Sequence, residues 1–250
     1  MADTQQAPRP VLEVVKEHAL AHKVDVTLWA TRLAALFFTT IYFIPIIGNP
    51  VNSYYKVLIA NAAISALRLH QRLPPFTFSK EFFNLLMLED SFHYLWFSLI
   101  FLYVQPITLA LLPVFLFSLI HFSSYSLTLL DTMGQNSWWG ARLMISLVEF
   151  QSNTILRLIA FAEIFLMPFV IIMILMGRAG LFTPFMYYNF LKMRYTSRRN
   201  PHTRNMFLEI RQAVEKLAAN PRCPAPVKNI LLGGVQFVCR LAPPPPEAQQ

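Results

Sequence analysis

The chain has 250 residues, of which 55% are apolar and 14% are charged, and its mean hydropathy is +0.44. A soluble domain has about a quarter of its residues charged, so this composition excludes an ordinary soluble domain. The formal net charge is +8, and the whole excess lies after residue 176. Because Lys and Arg near the ends of spans mark the cytosolic side of a membrane, we expect the chain from Arg178 onward to be cytosolic.

Apolar segments long enough to cross a membrane divide the chain. About 20 apolar residues are needed for a helical span. We predict spans at about 28–48, 94–122 and 153–176. A shorter apolar stretch at 54–69 predicts a further helix, either embedded or lying in the interface.

The middle segment leaves two alternatives open. Pro106 and Pro113 interrupt it, and proline breaks or kinks a helix. The segment is either one long kinked span, or two spans of which the first begins near Phe82 and carries Glu89, Asp90 and His93.

These segments predict an all-α, polytopic bundle with C-terminal cytosolic amphipathic helices. Residues 1–27 are polar, 28–178 form the transmembrane region, and 179–242 form a basic amphipathic tail. The Pro-rich end, 243–250, is expected to be disordered. Aromatic residues are mixed with Lys192 and Arg194 in 181–195, which is typical of the headgroup level of a membrane.

The tail is predicted to contact a membrane or a partner through two kinds of side chain. Basic residues near spans bind anionic lipids, and apolar stripes at helical spacing enter the acyl boundary. The basic residues are Lys192, Arg194, Arg198, Arg199 and Arg204, and the apolar ones are Phe207, Ile210, Val214, Ile230, Leu231 and Val235. Anionic lipid is favoured over an acidic protein such as a nuclear transport receptor. Nucleic acid is disfavoured, because no groove-reading motif accompanies the charge.

Glu163 is a carboxylate near the middle of the most apolar segment. A charge there costs several kcal/mol unless it is paired, protonated or hydrated. Arg157 lies about 120° away around the helix, so the expected partner is on another segment, such as Asn61, Arg68 or Arg32. A structural hydrogen bond is favoured over an ion or proton site, and a structural carboxylate is expected to tolerate Glu163→Gln.

Catalytic patterns are weak. Glu89, Asp90 and His93 are predicted to share one helical face, as an acid/base pair or half of a metal site does, but no second His-rich cluster completes it. We therefore expect no catalytic, metal or cofactor residues and no enzymatic activity. A lipid-modifying enzyme using these three residues remains an alternative.

Four sequence blocks resemble the transmembrane protein 33 family, which includes pore-membrane proteins of fungi. The blocks are 66–74, 88–95, 163–168 and 187–201, and the resemblance runs from about Trp29 to Pro243. It implies a non-enzymatic protein of the endoplasmic reticulum and nuclear envelope. It further implies links to reticulon-type membrane-shaping proteins, nuclear pores and the endoplasmic reticulum stress response. A channel or transporter subunit using Glu163 is the other alternative.

Overall fold

The computed structural model describes residues 11–46, 48–135 and 138–243. These residues are helical and contain no strand, which confirms the predicted all-α fold. The described helices are α1 Val11–Ala21, α2 Lys23–Phe43, α3 Pro50–Arg72, α4 Lys80–Leu88, α5 Asp90–Leu102, α6 Thr108–Thr132, α7 Trp139–Ile145, the π-helical turn Ser146–Phe150, α8 Ser152–Leu175, α9 Thr183–Thr196, α10 His202–Ala218 and α11 Ala225–Leu241.

Among the described helices, α2, α6 and α8 are long and apolar enough to cross a membrane. Helices α4 and α5 pass the same test only as a pair, and they are bent by 79° at their junction. Length and composition thus agree with a helical membrane protein.

Helices α2 and α3 form an antiparallel hairpin. Gly48 in the turn has φ 105°, a conformation that residues with a side chain rarely adopt. The side chain of Asn49 then caps α3 by accepting a backbone hydrogen bond of 2.8 Å. Across the pair, the rings of Tyr42 and Tyr54 lie 6.1 Å apart, which places both near the turn.

Helices α5 and α6 form a second hairpin, so the prediction of one kinked span at 94–122 is wrong. The chain leaves the helix after Leu102 and resumes it at Thr108. Pro106 has no N–H to continue α5, whereas Pro113 is accommodated inside α6. The alternative of two segments comes closer, but the first of them is bent at Glu89.

Helices α8 and α9 form a third hairpin in the described bundle. Gly177 has φ 69°, its N–H bonds to Ile174 O and the N–H of Arg178 bonds to Met173 O, both at 2.8 Å. These are the two bonds of a Schellman motif, which ends α8. The predicted boundary at 178 is therefore wrong, because α9 returns into the bundle and does not begin the tail.

The core joins these hairpins. Its aromatic members come from α3, α5 and α9, and its aliphatic members come from α3, α5, α6, α8 and α9 and from the turn after α5. Fully or almost fully buried core side chains include Tyr54, Phe97, Phe101, Leu111, Val114, Leu166, Val170, Tyr187 and Phe190. The aromatic residues of 181–195 that were predicted at the headgroup level are thus divided, since Tyr187 and Phe190 fill the core while Phe182 and Phe185 are exposed.

The turns after α2, α5 and α8, called here the hairpin tips, lie at the same end of the described bundle. Tyr42 Oη and Thr108 Oγ1 are 2.7 Å apart, which joins the end of α2 to the start of α6. Tyr55 Oη donates to Val104 O at 3.3 Å, and Ala179 packs against the same core. Apolar side chains at the tips are strongly exposed, and they include Ile46, Tyr103 and Leu181 at 83%, 89% and 83%.

The opposite end of the bundle carries α1 and the end of α10, whereas α11 returns toward the tips, since Tyr188 Oη of α9 donates to Leu241 O at 2.8 Å. His18 Nε2 of α1 lies 3.1 Å from Tyr125 Oη, near the end of α6. Helix α10 runs back along α8 away from the tips, since Arg157 Nη2 donates to Glu209 Oε2 at 2.8 Å. Helix α11 packs on α10 and has no buried residue. The end predicted to be disordered, 243–250, lies outside the described residues from 244 onward.

Candidate functional site

Glu163 on α8 is completely buried and receives hydrogen bonds from three other helices. Arg194 Nε on α9 donates to both carboxylate oxygens, at 3.2 and 3.1 Å. Tyr94 Oη on α5 donates to Oε1, and Thr203 Oγ1 at the start of α10 donates to Oε2 at 3.2 Å. Tyr187 Oη donates to the backbone carbonyl of Glu163 at 2.7 Å. The carboxylate thereby fastens four helices together.

Arg194 links Glu163 to a second acid. Its Nη1 lies 3.2 Å from Asp90 Oδ1, which also accepts from Ser197 Oγ at 2.9 Å. The guanidinium lies over the Tyr94 ring, 5.1 Å from the centroid. Among the guanidinium nitrogens of Arg194, Nη2 lacks a hydrogen-bond partner in the described residues. We call Glu163, Arg194, Asp90, Tyr94 and Thr203 the Glu163 cluster.

A second ion pair lies beside the Glu163 cluster, at the bend between α4 and α5. Glu89 Oε2 is 2.8 Å from Arg199 Nη1 and 3.4 Å from Arg72 Nη1 at the end of α3. Only the carboxylate is buried, since the Arg199 and Arg72 side chains are 56% and 42% exposed, so solvent weakens these ion pairs. His202 stands at the same junction, where burial and the charges of Arg194 and Arg157 lower the pKa of His202 below its ordinary value.

The prediction of Asn61, Arg68 or Arg32 as the partner of Glu163 is wrong. Asn61 instead donates to Ser98 Oγ at 2.8 Å, and neither Arg32 nor Arg68 bonds to Glu163. The prediction that Arg157 does not pair with Glu163 agrees with its bond to Glu209. The sequence blocks at 66–74, 88–95, 163–168 and 187–201 supply Arg72, Asp90, Glu163 and Arg194 respectively, so the blocks that resembled a family meet in space.

Arg194 was expected to contact lipid or a partner, and the structure contradicts this because its side chain is 1% exposed. The other basic candidates, Lys192, Arg198, Arg199 and Arg204, are exposed or half-buried. Thr203, Tyr94 and Tyr187 were not expected at the site. Their positions in aromatic or polar stretches give no signal of burial until the helices are packed.

The apolar candidates of the tail divide by helix face. Phe207, Ile210 and Val214 of α10 are half-buried, and so are Leu231 and Val235 of α11. Ile230 is 73% exposed, and it shares its side of α11 with the exposed residues Val227, Phe237 and Leu241. The predicted stripe on α11 therefore faces both α10 and the surroundings.

The acid/base arrangement expected at 89–93 is not on one helical face. Glu89 is the residue between α4 and α5, and it is held by Arg199 and Arg72. His93 Nδ1 lies 3.6 Å from Asp90, whose other contacts are Arg194 and Ser197. The described residues contain no cluster of three potential metal ligands.

Comparisons with known proteins cover almost the whole chain. A family model described as transmembrane protein 33/nucleoporin POM33 matches residues 6–244. Krueppel homolog 2 of Drosophila melanogaster is 52% identical over 242 residues, which are 97% of this chain and 86% of that protein. Transmembrane protein 33 of Homo sapiens is 42% identical over 229 residues, which are 91% and 93% of the two chains. No solved structure matches the chain.

Proposed function

Since the chain belongs to the transmembrane protein 33/nucleoporin POM33 family, we propose that it is a non-enzymatic organiser of curved membrane in the endoplasmic reticulum and nuclear envelope. The hairpins enter the membrane from the cytosolic side with their tips leading, and both ends of the described chain stay on the cytosolic side. The C-terminal helices contact anionic lipid and recruit partners there.

The observation that carries this proposal is the shared orientation of the hairpin tips, whose exposed side chains are mainly apolar, with Asn49, Gln105 and Arg178 as exposed polar members. The charged members of the Glu163 cluster lie at one depth behind them. At a rise of about 1.5 Å per residue, Glu163, Asp90 and Arg194 are roughly 16–18 Å from the tips along α8, α5 and α9. Half of the hydrocarbon core is about 15 Å thick. With the charges at headgroup level, the tips reach the bilayer centre.

Insertion to this depth favours curvature for a geometric reason. The hairpins add volume to the cytosolic leaflet and little to the lumenal one, so the membrane bends toward the cytosol. The exposed apolar side of α11 adds to the same leaflet, because an amphipathic helix lies in the headgroup and acyl boundary. Basic residues nearby, such as Lys228 and Arg240, favour an anionic surface.

The partners follow from family membership and are proposals. The family description names a nucleoporin, and on that ground we propose nuclear pore proteins or transport receptors as partners of the tail. We also propose reticulon-type proteins as partners in the curved membrane, and a link to endoplasmic reticulum stress signalling. No step of these roles requires a bound cofactor.

Reconstitution of the full chain tests the proposal. Purified protein is added to vesicles at increasing protein-to-lipid ratio, and vesicle diameter is measured by electron microscopy. We expect narrow tubules or small vesicles, and we expect Leu181→Asp at a tip to weaken the effect. Leu20→Asp is the matched control, since Leu20 is also exposed but lies at the opposite end. Unchanged vesicle diameter with wild-type protein contradicts the proposal.

The two alternatives have less support in the described structure. An ion pathway through Glu163 needs a hydrated carboxylate, but this one is 0% exposed and bonded to Arg194, Tyr94 and Thr203. A lipid-modifying site at Glu89, Asp90 and His93 needs free acids, but both acids are ion-paired.

A further inference from the structure

Arg32 is a buried cation on α2 that makes no hydrogen bond or ion pair with any described residue, although it is 5% exposed. Arginine is rarely buried without an acidic partner, because the transfer of an unpaired charge from water costs several kcal/mol. The Glu163 cluster does not serve it, since that carboxylate is occupied by Arg194. Arg32 therefore has donors for which the described chain supplies no acceptor, and its nitrogens are not among the fully buried unpartnered atoms, so they reach the accessible surface.

A second unpaired arginine lies near Arg32. Arg68 on α3 is half-buried, and it also makes no hydrogen bond or ion pair with the described residues. The two guanidinium groups are close enough to repel each other electrostatically. Both, together with Arg72 of α3, also lie within electrostatic range of His121 of α6, whose side chain is exposed. Asp25 is the acid within electrostatic range, but it forms no ion pair with either arginine.

Helix packing independently places Arg32 beside His121 and puts Arg68 toward the same end of the bundle. Trp29 of α2 donates to Ser126 Oγ of α6 at 2.9 Å and stacks on Phe122, with 5.5 Å between the ring centroids. Arg32, one turn further along α2, therefore lies beside the His121 level of α6. Lys56 Nζ lies 5.0 Å from the Phe38 ring, and α3 is antiparallel to α2, so Arg68 lies toward the same end as Arg32.

We propose that Arg32, Arg68 and His121 form a binding site for a phosphate group between α2, α3 and α6. A guanidinium donates paired hydrogen bonds to phosphate oxygens, and two such groups with an adjacent imidazole match a doubly charged anion. Binding relieves the repulsion between the two arginines and satisfies the donors of Arg32. Two sources supply this chemistry, the headgroup of a phosphatidic acid or phosphoinositide and soluble phosphate.

The depth of the site favours the lipid headgroup. Arg32 is roughly 16 Å from the end of α2 at the hairpin tip, at a rise of about 1.5 Å per residue. This is the same depth as the Glu163 cluster, which the proposed function places at the headgroup level. The unpaired arginines do not depend on curvature, but the choice of a lipid headgroup rests on the proposed function. If the hairpins cross the bilayer fully, Arg32 lies at the bilayer centre, out of reach of headgroups.

The test uses the full chain in nanodiscs of neutral phosphatidylcholine. Phosphatidic acid is titrated into the nanodiscs, and its retention by the released protein is measured by native mass spectrometry. We expect Arg32→Gln and Arg68→Gln each to weaken retention about tenfold, since each removes a charge-assisted bond. Arg178→Gln, which removes the same charge at a hairpin tip, is the matched control and should retain wild-type binding. Asp25→Asn should strengthen retention, because it removes a repelling carboxylate.

A parallel arm adds inorganic phosphate to the protein without phosphatidic acid and follows its thermal stability. Retention of phosphatidic acid with no stabilisation by inorganic phosphate identifies the lipid as the source, and the reverse identifies soluble phosphate. If Arg32→Gln does not fold, Arg68→Gln and Asp25→Asn decide between the outcomes. Equal binding by wild type, Arg68→Gln and Asp25→Asn overturns the proposal, and so does a loss of stability in Asp25→Asn that identifies Asp25 as the structural counter-charge.

Discussion

At the scale of single residues, Glu163 shows what a sequence can and cannot reveal. A carboxylate within an apolar helix demands a partner, and that demand was predictable from the cost of a charge in an apolar medium. The identity of the partner was not, because Arg194 follows the last apolar segment and resembles a lipid-binding arginine. Only the return of α9 into the core, after the turn at Gly177, buries it.

We expect Glu163→Gln to lower stability almost as much as Glu163→Leu. The expectation that glutamine is tolerated rests on its hydrogen-bonding capacity, whereas the observed partner is a buried arginine whose charge glutamine does not offset. Removing one member of a buried ion pair costs about 3–5 kcal/mol, since the other charge remains unpaired. The measurement is thermal unfolding of the purified protein in detergent, followed by tryptophan fluorescence.

Two comparisons make this test specific to the buried pair. Arg157→Gln breaks an exposed pair with Glu209, and we expect a loss below about 1 kcal/mol. In the double variant Glu163→Gln with Arg194→Gln, part of the loss should be recovered, because the buried lone charge of Arg194 is removed. Asp90 also loses its ion pair with Arg194, but its side chain is partly exposed. Additive losses in the double variant would show that the two side chains stabilise the fold separately.

Acid should destabilise the junction at His202. Burial and the nearby charges of Arg194 and Arg157 lower the pKa of His202, so the unfolded state, with a pKa of about 6.5, binds its proton first as pH falls. Stability is therefore present above about pH 6.5 and is lost below it. His202→Asn should reduce this loss in thermal unfolding at pH 7.5 and 5.5, whereas the loss should persist in His70→Asn. An identical pH dependence in His202→Asn and wild type would contradict the assignment.

At the scale of helices, periodicity predicted the segments whose apolar residues are continuous. The segment predicted at 153–176 corresponds to α8, and the two amphipathic stretches of the tail correspond to α10 and α11. The prediction of one span at 94–122 failed because composition does not distinguish a kinked helix from a hairpin. Pro106 lies between α5 and α6 while Pro113 lies inside α6, and the composition around the two prolines does not tell which of them ends a helix.

Helix α11 should contact anionic lipid through Phe237 and not through Val235. Phe237 is 64% exposed, whereas Val235 is half-buried against α10. The exposed Cys239 reports on this helix when an environment-sensitive dye is attached to it in a Cys223→Ser background. In vesicles containing phosphatidylserine, we expect a blue shift that high salt reverses, because screening weakens the attraction of the basic residues.

The same dye shows which side of α11 contacts the membrane. Phe237→Asp should abolish the blue shift, since it places a carboxylate on the exposed apolar side. Gln236→Asp adds the same charge at a neighbouring exposed polar position and should retain most of it. Loss of the shift in both variants would mean that net charge alone governs the contact, and no shift in wild type would assign the tail to a protein partner.

At the scale of the whole molecule, the direction of the described helices answers a question that span counting left open. An odd number of spans places the two ends of the chain on opposite sides of the membrane, and an even number places them together. Helices α2, α5 and α8 run toward the tips, while α3, α6 and α9 run away from them. Each helix that runs toward the tips is therefore followed by one that runs back to the end opposite the tips.

We expect the N-terminal and C-terminal ends to be on the same, cytosolic side of the membrane. Protease added to sealed microsomes should remove an epitope before α1 and an epitope after Gln250. A protected N-terminal epitope beside a digested C-terminal one would show an odd number of crossings, which the hairpin arrangement forbids.

The depth of the tips is measured separately, with a cysteine at Leu181 and a maleimide that does not cross membranes. Protection from the reagent on both sides places this tip within the bilayer, as the curvature proposal requires. Labelling from the lumen alone shows complete crossing and moves the Glu163 cluster to the bilayer centre, where its ion pairing has to offset the full cost of buried charge.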